Sequence, residues 1–266
     1  MRKPILIRGA RQLLTLRGGV GPRRGIQLDQ LGLVADGSVL IVNGRVREAG
    51  STRRIENLAI ARKALEISAQ GRVVMPGFVD ACIHLEAAGT GPQAFSTARR
   101  TLRLSLLHGA TSWGIPAEER LEPKLARVLK KLDPSNETLV PFTGSGVKVL
   151  QPLIESVDPR PLIQAGEALA IATGYRARVQ PSCSLAMAIA TAADHGFSIA
   201  EAVTACTING AHALGIGARA GSLETGKQAD ILILETSDYR DLAYARGLNL
   251  VHSVMKHGEM IAEGAD

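Results

Sequence analysis

Between residues 76 and 219 short apolar strands alternate with helical stretches, and this alternation constrains the fold more than any other feature of the chain. Such a pattern builds parallel βαβ units. The run RVVMPGFVDACIHL (72–85) is largely apolar, and its Pro76-Gly77 predicts a bend that enters a buried strand. A helix is expected over 93–108, with Phe95, Ala98, Leu102 and Leu106 on one stripe, followed by a strand at 110–115. A second amphipathic helix is expected over 117–132, then strands at 138–142 and 168–173. Two more helices follow; the second opens on a capping box of Ser198 with Glu201, has Phe197 as a hydrophobic staple, and should stop at Gly215. Four βα units can be placed in roughly 140 residues, whereas a closed eight-unit barrel takes at least about 200.

The flanks have a different texture. ILI at 5–7 reads as a strand, and GGVGPRRG (18–25) as a connector. Its glycines and Arg23-Arg24 lack both GxGxxG and a GK[ST] ending, which argues against a phosphate loop. SVLIV and RVREAG flank Asn43-Gly44, a strong hairpin signal. After residue 219, ADILIL (229–234) and VHSVM (251–255) read as strands, with Lys256-His257-Gly258-Glu259 turning the second back into MIAEG. Each end has too few strands to be stable alone. The expected organisation is therefore a composite β-sandwich from 1–75 and 220–266 around a shortened (β/α) barrel at 76–219.

Composition limits the function classes. The chain has 266 residues, 45% of them hydrophobic and 3% aromatic, so its core must be built mainly from Leu, Ile, Val and Ala. The net charge of +6 is spread rather than gathered, with no basic stripe interleaved with aromatics; no nucleic-acid partner is expected. No apolar run approaches a membrane span, and Arg8 and Arg11 fall where a secretion signal needs apolar residues. Three cysteines form neither a disulfide framework nor a CxxC. A cytoplasmic globular protein with no membrane partner is expected.

Three segments together resemble the amidohydrolase superfamily, and within it the imidazolonepropionases. VVMPGFVDACIHL (73–85) is similar to the family's PGxVDxHxHL strand. The second segment, ALAIATG with PSCSLAMAIATAA and SIAEAVTACTINGAHALGI (168–216), is similar to the last barrel strand and the helices after it. GSLETGKQADILIL (221–234) is similar to the return into the β domain. The resemblance implies a TIM-like (β/α) barrel with an attached β-sandwich. It also implies metal-dependent hydrolysis of a C–N bond in a cyclic amide, with zinc or iron as the metal. Two His of an HxH, a further His from a middle strand and an Asp on the last strand would hold the ion.

Most of that set is absent here. The first His of HxH falls on Cys82, and the second is kept as His84. The last-strand Asp falls on Gly174, which can neither ligate metal nor take a proton. Residues two apart on a strand face one way, so Cys82 and His84 are the candidate metal ligands, with Asp80 on the same face. Two or three ligands on one strand make a poor zinc site, so no metal is expected to be bound unless the family site survives. The substrate-binding residues are unknown, and no residue is assigned as catalytic. Cys82 and His84 are not expected to form an aligned nucleophile–base pair. His108 is read as meeting the dipole of the helix it ends, His212 as packing, and Cys183 and Cys206 as core. The functional expectation is a catalytically degenerate member of the family; the alternative is a non-catalytic binding or assembly subunit. A partial barrel exposes strand edges, so a homo-oligomer or a partner subunit is expected, and a small cyclic-amide substrate only if the chain is active.

Overall fold

The computed structural model describes residues 3–85, 92–116, 139–142 and 146–263. The amino-terminal part supplies five strands: β1 (Ile5–Leu14), β2 (Leu33–Val42), β3 (Arg45–Ser51), β4 (Leu65–Ser68) and β5 (Val73–Pro76), with a short helix α1 (Thr52–Glu56) between β3 and β4. Asn43 and Gly44 both have positive φ, 51° and 75°, as a two-residue turn between twisted strands requires. Its two strands run antiparallel, Val42 opposite Arg45.

Next come β6 (Phe78–Asp80), β7 (Ile83–His84), α2 (Pro92–Leu107), β8 (Ala110–Pro116), β9 (Leu139–Phe142) and β10 (Lys148–Leu150). After these lie α3 (Arg160–Gln164), β11 (Leu169–Ile171), β12 (Tyr175–Arg176), α4 (Leu185–Asp194), α5 (Ile199–Ala205) and α6 (Ile208–Ala213). Strands β6, β8 and β9 form one parallel ladder, β10 pairs with β11, and β12 pairs with β7, all parallel. Because β7 continues β6 and β12 continues β11, the pieces follow one another as an arc. Among the described residues no ladder joins β9 to β10, and no closed barrel is seen.

The chain then returns to the first sheet through β13 (Ile231–Leu234), α7 (Asp241–Tyr244), β14 (Val251–Lys256) and β15 (Glu259–Glu263). The strand order β15-β14-β13-β5-β1-β2-β3, with β4 also on β1, makes one eight-stranded sheet from both ends of the chain. Side chains alternate across it. Leu13, Val74, Ile231 and Ile233 fill one core, while Leu14, Val73, Met75, Leu232 and Leu234 pack with the helices of the α/β part.

The bend at Pro76-Gly77 passes the chain from sheet to arc. A Cβ on Gly77 would lie 2.3 Å from Thr111 Oγ1, so only glycine permits the approach. Nearby, buried Lys256 donates to Thr111 O (2.7 Å) and lies 3.4 Å from Asp230 Oδ2, tying β14 to β8.

Two local expectations change. The helix opened by Ser198 ends at Ala205 rather than running to Gly215: at Thr207 the backbone leaves the helical region (φ −125°, ψ −96°), and Thr207 Oγ1 donates to Val203 O (2.7 Å). The chain then restarts as α6, and Gly215 follows it at φ +70°. Strands β10 and β12 are additional to those expected, and the expected helix at 117–132 lies outside the described residues. The capping box is present: Glu201 N donates to Ser198 Oγ and Ser198 N to Glu201 Oε2. Among the described residues no helix is long and apolar enough to cross a membrane.

Candidate functional site

Functional groups collect where β6/β7 and β11/β12 end side by side, at the carboxyl ends of parallel strands, the usual location of ligands in such folds. Asp80 closes β6 and is fully buried. Its Oδ1 accepts from Thr173 N (3.0 Å) and Cys82 N (3.4 Å), and its Oδ2 accepts from Thr173 Oγ1 (2.6 Å). Desolvation pushes its pKa up to about 7, against these bonds, which favour the ionised form. Thr173 O in turn accepts from Gln180 Nε2 (2.7 Å), and Gln180 Oε1 accepts from Ser182 N (2.6 Å). Tyr175 OH accepts from Thr101 Oγ1 of α2 (2.8 Å). Asp80 is thus part of a connected buried network that fastens the first strand of the arc to the last.

The structure brings Cys82 and His84 together, with Sγ 3.7 Å from Nε2. That is within reach of a sulfur hydrogen bond, at the same nitrogen that a second side chain approaches more closely. Sequence reading missed Arg176. The register of β12 on β7 sets Arg176 opposite His84, and its Nη2 lies 3.2 Å from His84 Nε2. Arginine has no acceptor, so Nε2 must accept, and the ring proton must sit on Nδ1.

Gly174 N donates to Cys82 O (3.2 Å), and Gly174 has φ +60°. A Cβ there would lie 2.4 Å from Gln151 Oε1 and 2.6 Å from Ile154 Cδ1. The position where the resemblance implies a metal-binding, proton-accepting Asp is shaped for glycine.

These residues do not fit the family's metal ion. Ligation needs the Nε2 lone pair of His84, which already accepts from a guanidinium, and an ion at that nitrogen would face a like charge. Asp80 is turned to Thr173. Among the described residues no three His, Cys, Asp or Glu side chains gather as a ligand set.

The remaining candidates lie elsewhere. His108 does follow α2, its N–H bonding Leu104 O (3.0 Å), but burial lowers its pKa and favours the neutral ring. Burial thus weakens the dipole interaction expected of it at that helix end. His108 instead lines a cleft of about 330 Å³ with Leu104, Cys183, Met187, Leu242 and Arg246. Cys183 is therefore at a cleft wall rather than in the core, its thiol pushed up to about 11, chiefly by burial. Cys206 is fully buried, as expected. His212 is half-buried on α6 and fills the space beside Gly217.

A sheet built from both chain ends beside an arc of parallel strands is the architecture of amidohydrolase-fold proteins. An E. coli guanine deaminase superposes with a TM-score of 0.69 at 13% identity, covering 99% of this chain and 100% of that one. A molinate hydrolase gives 0.71 at 14%, covering 97% and 94%. The Amidohydrolase family matches residues 154–261. The imidazolonepropionase of Brevibacillus brevis is 24% identical over 426 aligned positions, spanning 99% of both chains. With only 266 residues here, more than a third of that alignment has no counterpart in this chain. The imidazolonepropionase of Deinococcus deserti is 42% identical over 103 residues, 38% of this chain and 26% of that protein. The chain is thus similar to the amidohydrolase superfamily, by the family's match to 154–261 and by relatives 24% identical along its length. Imidazolonepropionases are among its relatives.

Proposed function

We propose that this chain is a catalytically degenerate, imidazolonepropionase-like amidohydrolase, a shortened barrel with a β-sandwich built from its two ends. The observation that carries the proposal is the pairing of Arg176 with His84 Nε2, beside Gly174 where a proton acceptor would stand. Opening a cyclic amide requires a water activated for attack on the carbonyl carbon, an acceptor for its proton and donors for the developing oxyanion. Among the described residues the carboxylate nearest this pair, Asp80, is fully buried and turned to Thr173. The histidine is engaged by a cation, and among the described residues no ligand set supports an ion. A metal-supplemented assay of purified protein with imidazolonepropionate tests this reading; the expected outcome is no enzymatic turnover.

The alternative role, a binding or assembly subunit, is favoured by one feature. Leu104, Leu107, Met187, Tyr244 and Leu248 are exposed on α2, α4, α7 and the segment after α7, and three of them, Leu104, Met187 and Leu248, line the 330 Å³ cleft. Apolar patches of this kind mark interaction surfaces. On this reading the chain self-associates or joins a partner subunit in the cytoplasm, and light scattering at micromolar concentration should show a species heavier than a monomer.

A further inference from the structure

We infer that Arg176 serves as the cation of the former metal position, and that the site receives a small oxyanion, a carboxylate or a phosphate, in place of a metal ion. The inference rests on the proposed absence of metal there and goes beyond it, since a merely inactive site need bind nothing.

Three observations support the inference. Arg176 is half-buried, and its side chain's one described partner is Nε2 of His84. One of the five guanidinium N–H groups is spent on that bond, leaving four. Elsewhere in the chain arginines meet carboxylates: Arg8 with Glu56 and Glu66, Arg240 with Asp238, Arg246 with Asp194. No described carboxylate pairs with Arg176.

The second observation is position. Arg176 ends β12 next to the end of β7, at the carboxyl ends of parallel strands, where ligands of such folds bind. The third is the chemistry of the surroundings. Asp80 faces Thr173, and Cys82 contributes a thiol, so the guanidinium of Arg176 meets no described negative charge there. A planar guanidinium held by a ring nitrogen is prepared to take a planar or tetrahedral oxyanion with two parallel N–H···O bonds.

The test follows the imidazole nitrogens by NMR in protein labelled with ¹⁵N-histidine, titrated at low ionic strength with inorganic phosphate, acetate or zinc chloride. Phosphate or acetate should produce a saturable shift of the His84 signal. The shift should be lost in Arg176→Gln and kept in Arg240→Ala, at an exposed arginine outside the site, and whichever anion acts names the class. If the other histidine signals show that Arg176→Gln is misfolded, Arg176→Lys replaces it; losing the fork should weaken binding about tenfold. No saturable shift with either anion would overturn the inference, as would a shift unchanged in the Arg176 variants. The zinc arm reads the underlying proposal separately: a zinc-induced shift of His84 in the unmodified chain would mean that the metal site survives.

Discussion

The guanidinium of Arg176 lies 3.2 Å from Nε2 of His84, on the one ring nitrogen of the candidate metal ligands that faces the end of the last described strand of the arc. Anything that binds the folded state alone raises its stability by mass action, and a family metal would do so strongly. The expected outcome is that excess zinc or iron leaves the thermal midpoint unchanged, and that a chelator does not lower it. Thermal unfolding with and without each additive checks this.

Gly174→Asp should not restore a site. The new side chain would start 2.4 Å from Gln151 Oε1, on a backbone at φ +60°. Strain of that kind costs about 1–3 kcal/mol, and the clash adds to it. Urea unfolding should show a lower midpoint, and Gly174→Asp with Cys82→His should remain inactive in a metal-supplemented assay.

Asp80 makes stability depend on pH. Its folded pKa is raised to about 7 by burial, whereas in the unfolded chain it returns to the ordinary carboxylate value near 4. The folded state therefore holds the proton more tightly. This contribution is complete below about pH 4 and is lost as pH rises through 7, with a ceiling on the order of 4 kcal/mol. Denaturant midpoints measured between pH 5 and 8 should fall with pH, and Asp80→Asn should flatten that slope.

Lys256 and Asp230 form a buried pair, 7% and 4% exposed at the side chain, with Thr111 O as a third member. Removing one partner strands the other charge, which typically costs 3–5 kcal/mol. Lys256→Met should be strongly destabilising, and Lys256→Met with Asp230→Asn less so than the sum of the singles. A double-mutant cycle in urea measures the difference.

Much of the scaffold was legible because local chemistry and tertiary structure agree. Asn43-Gly44 names its turn, Pro76-Gly77 its bend, and Ser198 with Glu201 its cap. The break at Thr207 was not, because nothing in TACTING forbids continuing a helix; the tertiary bonds of Asn209 to Arg23 O and Leu169 O hold the restart in place. Strands of two or three residues, β10 and β12, are too short to carry a period. Arg176 was invisible for the same reason: its meeting with His84 depends on the register of β12 on β7, and 92 residues separate them in sequence. Cys82, His84 and Gly174 were found through the family pattern; what they do together required the coordinates.

The most direct test of the account is the hydrolysis of imidazolonepropionate by the purified chain, with zinc or iron supplied, followed at the substrate's own absorbance. Proton transfer alone contributes about 10²–10⁴-fold to such reactions; Gly174 stands at the acceptor position, and no ligand set gathers among the described residues. The account predicts a rate indistinguishable from that of buffer containing the same metal. Substantial turnover that depends on the metal and on His84 would contradict it.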